Sequence, residues 1–136
     1  MDQRLDELHI NIFVGFKVIP KPWRRAFGGT GVKRRREDIG ALEIASRLAK
    51  KISYLHGFYE DGRRVDLDDL TDFLFEHLKA VPDATAKALT SVDASGSEAA
   101  LKAITSALVD ALVAQWEIRY EPGQPPLPGQ GVKWGP

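Results

Sequence analysis

The sequence predicts an α+β fold, in which three to four helices pack on a small, mostly antiparallel sheet. Two observations predict this class. Apolar residues recur at helical spacing in several long segments, and they occupy every second position in two shorter segments near the ends of the chain. The length fits one globular domain over residues 1–121, followed by a Pro/Gly-rich C-terminal arm over residues 122–136.

The first predicted element is a half-buried strand within residues 5–20. Apolar side chains stand at every second position from Ile10 to Val18, which is the period of a strand. Pro20 is expected to end this strand, because proline cannot donate a ladder hydrogen bond. Glycines follow, so residues 17–36 are expected to form an extended basic loop.

Two helices are predicted in the middle of the chain. The first begins near residues 37–38, whose carboxylates suit the positive end of the helix dipole, and ends near Gly57. The dipeptide Asp61-Gly62 indicates a tight turn between short strands. Asp66 is then placed to cap the second helix.

Two further helices and a strand are predicted in the last third. A short helix is expected over residues 82–91 and a longer one over residues 98–115, where Ser95 and Glu98 have the spacing of a capping box. Residues 116–121 alternate apolar and charged side chains, which predicts a strand that pairs with the N-terminal one.

The composition excludes several chemistries and suggests a location. The chain has no cysteine, which excludes disulfides, thiolate nucleophiles and cysteine-ligated metal sites. No stretch approaches the roughly 20 apolar residues of a membrane span, and the N-terminus lacks the apolar core of a signal peptide. We therefore expect no membrane partner and a cytoplasmic location, or one within an assembled particle.

Charge is strongly segregated, although Lys plus Arg and Asp plus Glu both number 19. Residues 17–36 hold eight basic residues and no acidic one, which indicates a charged partner or a second copy of the same chain. Arginine suits phosphate, and an aromatic side chain nearby can stack on a base. The candidate residues for binding nucleic acid or an acidic partner are Lys21, Trp23, Arg24, Arg25, Lys33, Arg34, Arg35 and Arg36.

Two other features are candidates for contacts with neighbouring chains. Asp68, Asp72 and Glu76 stand four residues apart on one predicted helix, where they form an acidic interface or simply a solvated face beside the positive end of the helix. In the C-terminal arm, Trp134 is the expected anchor of the tail in an apolar pocket.

No catalytic motif accompanies these features. The glycines lack the spacing of a phosphate-binding loop, the three histidines form no zinc-binding pair, and no nucleophile elbow occurs. The sequence therefore predicts no enzyme, no cofactor and no metal. It favours a non-enzymatic structural subunit of a larger assembly, such as a virion component, whose partners include copies of itself. A nucleic-acid-binding protein is the alternative, and an enzyme without a recognisable motif comes third.

Overall fold

A computed structural model of the chain describes residues 3–122. Within them the chain folds into six helices and a three-stranded antiparallel sheet, which confirms the α+β class. The predicted number of three to four helices is too low, because two helices form before residue 30. Apart from Pro122, the Pro/Gly-rich arm and its expected anchor Trp134 lie outside the described residues.

The strands of the sheet interrupt the run of helices at two points of the chain. The helices are α1 (Gln3–Lys17), α2 (Lys21–Gly28), α3 (Asp38–Ser53), α4 (Leu67–Lys79), α5 (Asp83–Ala88) and α6 (Ala94–Gln115). The strands are β1 (His56–Glu60) and β2 (Arg63–Arg64), between α3 and α4, and β3 (Glu117–Tyr120), after α6. Strand β1 lies at the centre of the sheet and pairs antiparallel with both β2 and β3.

The predicted N-terminal strand is wrong, because this segment forms α1. The alternation over residues 10–18 contains a helical period as well. Leu8, Ile12 and Phe16 are four residues apart, face the core and are at most 1% exposed. The other apolar positions of the alternation stay exposed on the outer side of the segment; they are Ile10, Val14 and Val18.

The basic segment of residues 17–36 is not one extended loop, because α2 forms inside it. Pro20 is the N-cap residue and Pro22 stands in the first turn, where a missing N–H breaks no helical hydrogen bond. Gly29 ends the helix with a left-handed φ of 83°. The loop is therefore confined to residues 29–37.

The middle of the chain follows the prediction at most points. Helix α3 begins at Asp38, as expected, but it ends at Ser53 because Gly57 belongs to β1. The predicted tight turn joins β1 to β2, and both of its central residues are left-handed, Asp61 at φ 52° and Gly62 at φ 81°.

The caps of α4 and α6 set where these helices begin. The Asp66 carboxylate accepts a hydrogen bond of 2.8 Å from Asp69 N, which confirms the predicted cap of α4. Helix α6 begins at Ala94, one turn before the prediction, because Asp93 caps it and accepts a bond of 3.2 Å from Ser95 N. Strand β3 forms where predicted and pairs with β1, since the N-terminal segment is helical.

His56 is a buried titratable group at the start of β1. Its side chain is 0% exposed, its Nε2 lies 3.3 Å from Asn11 Nδ2, and its Nδ1 has no hydrogen-bond partner among the described residues. The ring of Tyr120 packs 5.5 Å from the His56 ring. Burial lowers the pKa of His56 to about 4, because the charged imidazolium would lose its hydration.

The buried histidine predicts a loss of stability in mild acid. Since the pKa of His56 is lower in the folded chain than its ordinary value of 6.5, its contribution to stability is complete above pH 6.5 and is lost as the pH falls towards about 4. His56→Gln keeps an acceptor for Asn11 and cannot titrate. We expect its free energy of unfolding, measured by urea denaturation, to fall less steeply than the wild type's over this pH window.

The exposed His77 provides the matched control for this prediction. His77→Gln makes the same replacement at an exposed position, so it shows how much of any change comes from the exchange of residue type alone. If His56→Gln and wild type show parallel curves between pH 6.5 and 4, the folded chain accommodates the His56 imidazolium and the account of its burial is wrong.

Candidate nucleic-acid interface

Helix α2 is fixed between α3 and α5 by two close backbone approaches. A Cβ on Gly40 of α3 would stand 2.8 Å from Trp23 O, and a Cβ on Gly28 would stand 2.7 Å from Ala86 O. Neither distance leaves room for a side chain. Phe27 anchors the same helix in the core and is 1% exposed. The outward side of α2 is therefore held in a fixed position.

That outward side carries three cations. Lys21, Arg24 and Arg25 are three and four residues apart, which places them on neighbouring positions of the helix surface. Lys21 and Arg25 are exposed and Arg24 is half-buried. The first turn of α2 holds no acidic residue. The first turn of this helix therefore holds no carboxylate that could offset the repulsion between the three cations.

An open groove, which we call the α2 groove, runs between α2 and the loop that follows it. Lys21 and Arg25 contribute positive charge from the helix, and Lys33 and Arg34 contribute it from the loop. Glu37 is the carboxylate of this lining, and it lies 3.6 Å from Lys33 Nζ. The lining thus has four cations and one anion, and the excess charge is positive.

Apolar and hydroxyl side chains lie between these cations. Trp23 packs partly on the core and also lines the α2 groove. Val32 is 99% exposed and Ile39 is 46% exposed in the same lining. Thr30 Oγ1 donates to Thr90 Oγ1 at 3.0 Å, which ties the loop to the connection between α5 and α6. The groove therefore has an aromatic residue beside positive charge.

Arg36 points away from the α2 groove and into the fold. Its Nε donates to Phe27 O at 2.9 Å, and its Nη2 donates to Leu78 O at 3.1 Å. Its Nη1 donates to Val81 O and forms an ion pair of 3.0 Å with the exposed Asp83 carboxylate. The guanidinium also stacks over the Phe27 ring, 4.8 Å from its centroid. Arg36 therefore joins the C-terminal ends of α2 and α4, where helix carbonyls carry negative partial charge.

Most of the predicted basic residues line the α2 groove, and three of them do not. Arg24 faces a neighbouring crevice, Arg35 is exposed and lines neither the groove nor the crevice, and Arg36 is bound inside the fold. The residues of the prediction that line the α2 groove are Lys21, Trp23, Arg25, Lys33 and Arg34.

The predicted acidic residues lie on a different element. Asp68, Asp72 and Glu76 are all exposed on α4. Asp68 stands in the first turn, where it also complements the helix dipole, and Glu76 Oε2 lies 2.9 Å from Lys79 Nζ on the same helix. An interface and a solvated face both fit this arrangement.

Sequence reasoning missed the hydroxyl side chains that face Arg24. Ser91 and Ser97 line the same crevice as Arg24, although they are more than 60 residues away along the chain. A serine in a loop, such as Ser91, or on a helix, such as Ser97 of α6, carries no signal of its own. The contact between α2 and the connection from α5 to α6 is needed to find them.

Two further kinds of site, metal centres and membrane spans, have no candidate in the part of the chain that the structure describes. Residues 3–122 contain no group of three or more His, Asp or Glu side chains that could hold a metal ion. No helix among these residues is long and apolar enough to cross a membrane. No protein-family model, no curated protein and no solved structure matches this chain.

The position of Arg36 predicts a structural role that its neighbour Arg35 lacks. Arg36→Gln removes the donors of three carbonyls, so we expect the free energy of unfolding to fall by about 2–4 kcal/mol. Arg35→Gln is the matched control, because it removes the same charge from an exposed side chain and should change stability by less than about 0.5 kcal/mol. Urea denaturation followed by circular dichroism measures both. Equal losses in the two variants would contradict the assigned role.

Proposed function

We propose that this chain is a non-enzymatic binding protein that holds a nucleic-acid strand on the outward surface of α2. The main support for this proposal is the α2 groove, where cations from the helix and from the following loop lie on one surface. Arginines and lysines that share a surface with few acids are the electrostatic footprint of nucleic-acid binding. The sequence alone favoured an assembly subunit; the arrangement of these side chains gives nucleic acid more support.

Counterion release supplies the driving force in this proposal. A nucleic acid carries condensed counterions, and a protein that neutralises its phosphates sets them free. Lys21, Arg25 and Arg34 have no carboxylate partner among the described residues, whereas Lys33 has one in Glu37. Most of the cations of the groove are therefore available to phosphates.

Trp23 gives the groove a means of contacting bases as well. Base–aromatic stacking stabilises single-strand binding by about 1–3 kcal/mol per base and tolerates any sequence. Trp23 is held on the core on one side and lines the groove on the other, so its ring is positioned before binding. This arrangement favours a single strand with unstacked bases over a duplex.

The proposal predicts a steep dependence of affinity on salt. If Lys21, Arg24, Arg25, Lys33 and Arg34 each neutralise one phosphate, the logarithm of the binding constant should fall with the logarithm of salt at a slope of about −3.5. The double variant Arg25→Gln/Arg34→Gln should make this slope shallower by about 1.4. Fluorescence anisotropy with a labelled single-stranded oligonucleotide at several salt concentrations measures both slopes.

A charge-matched variant separates the groove from net charge. Lys50→Gln/Lys102→Gln removes the same charge from two exposed lysines that do not line the groove, and it should retain the wild-type slope. Absent binding, or binding that salt does not weaken, would contradict the proposal. So would equal changes of slope in the two double variants.

A second candidate function is a structural subunit that associates with other chains, including its own copies. Two exposed surfaces favour it: the acidic side of α4, and the apolar row of Ile10, Val14 and Val18 on the outer side of the N-terminal segment. Apolar rows of this kind often mark contacts between proteins. Lys33, Arg34 and Arg35 of one copy would then meet the acidic side chains of another; Arg36 is committed inside its own fold.

A further inference from the structure

We infer that a crevice beside α2 binds one phosphate group, through Arg24 as its principal ligand. This crevice, which we call the Arg24 crevice, lies between α2 and the connection from α5 to α6 and has a volume of about 200 Å³. The inference rests on the proposed function for the source of the phosphate, since a strand on α2 would pass its edge.

The charge of the lining selects an anion. Lys21, Arg24 and Arg25 all line the Arg24 crevice, and its lining contains no carboxylate. Three cations so close together raise one another's free energy unless an anion lies between them. Glu98 lines an adjoining groove that Arg24 also borders, but it forms no ion pair with Arg24 in the described part of the chain.

Arg24 has a donor that the described part of the fold leaves without a partner. Arg24 Nε is buried and has no hydrogen-bond partner among the described residues. A buried donor without an acceptor costs about 1–3 kcal/mol, and native proteins leave few of them. A turn of the Arg24 guanidinium towards the crevice would present Nε and a terminal nitrogen to a phosphate oxygen, which would satisfy this donor. The guanidinium fork suits such an oxyanion because it donates two hydrogen bonds in parallel.

The hydroxyl groups of the crevice differ in what they can still donate. Thr90 Oγ1 donates to Lys87 O at 2.8 Å, and Ser97 Oγ donates to Leu89 O at 2.9 Å. Ser91 Oγ instead accepts from Asp93 N at 3.0 Å, so its own hydrogen remains available. Ser91 is therefore the hydroxyl that completes the coordination of the anion opposite Arg24.

The size of the crevice suits a single phosphate group and is too small for a whole nucleotide. Pockets that bury a drug-sized ligand measure about 300–1,000 Å³. At about 200 Å³, the Arg24 crevice accommodates a phosphate and a few waters, since one water occupies about 30 Å³ of liquid. A sugar and a base would lie outside it, on the side of the α2 groove.

Titration of the full chain with inorganic phosphate tests this inference. In ¹H–¹⁵N spectra, the Arg24 Nε–H resonance should shift and saturate, while the Arg35 Nε–H resonance should not. Arg24→Gln should weaken phosphate binding at least about tenfold, and Arg35→Gln, with the same change of charge, less than about twofold. Ser91→Ala should have an intermediate effect. Urea denaturation confirms that each variant is folded.

Two results would overturn the inference. One is a phosphate titration that does not saturate in the wild type. The other is an equal loss of affinity in Arg24→Gln and Arg35→Gln, which would indicate a diffuse positive field and no defined site.

A competing oligonucleotide distinguishes this inference from the proposed function. If single-stranded oligothymidylate displaces inorganic phosphate, the strand supplies the group that occupies the crevice, and both proposals are supported. If phosphate binds through Arg24 but no strand binds, the crevice serves a free phosphate ester and the proposed function fails alone. If the strand binds and Arg24→Gln binds it as tightly as the wild type, the crevice inference fails alone.

Discussion

The guanidinium of Arg36 is the interaction on which the basic surface depends. It donates to Phe27 O in the last turn of α2, to Leu78 O in the last turn of α4 and to Val81 O just after α4. The C-terminal end of a helix carries negative partial charge, so a half-buried cation is stabilised there. By closing both ends, Arg36 fixes where the loop of residues 29–37 returns to the core.

The arrangement of the other cations depends on these hydrogen bonds of Arg36. Because the loop returns beside the end of α2, Lys33 and Arg34 stand across the α2 groove from Lys21 and Arg25. The close approach of α3 at Gly40 and the burial of Phe27 prevent α2 from moving away from this arrangement. These contacts hold the cations of the segment close together, although their mutual repulsion favours a more open arrangement.

The sequence predicted elements whose local signals agree with their tertiary environment. Helix α4 begins at its predicted cap, Asp66, and the hairpin turns at Asp61 and Gly62, because these residues satisfy the backbone locally. The pattern of α1 predicts a strand because apolar residues cover two of its sides. The positions of Leu8, Ile12 and Phe16 are fully buried in the core, and sequence alone does not tell a buried side from an exposed one.

The sequence shows that the candidate site is basic, but it does not show which of its side chains lie together. Lys33, Arg34, Arg35 and Arg36 form one uninterrupted basic run, and nothing in the run distinguishes the arginine that turns inward. That distinction arises from α4, more than 40 residues later in the chain. Proline at Pro20 is as compatible with the end of a strand as with the beginning of a helix, and here it opens the helix that carries half of the basic surface.

The central claim is that the basic surface binds nucleic acid in preference to another copy of the chain. The solution mass, measured by light scattering after size exclusion at low and high salt, tests this claim most directly when it is done with and without a single-stranded oligonucleotide. We expect a monomer alone at both salt concentrations and a complex with the oligonucleotide at low salt that dissociates at high salt. Salt-sensitive oligomers of the chain alone, unaffected by the oligonucleotide, would contradict the claim.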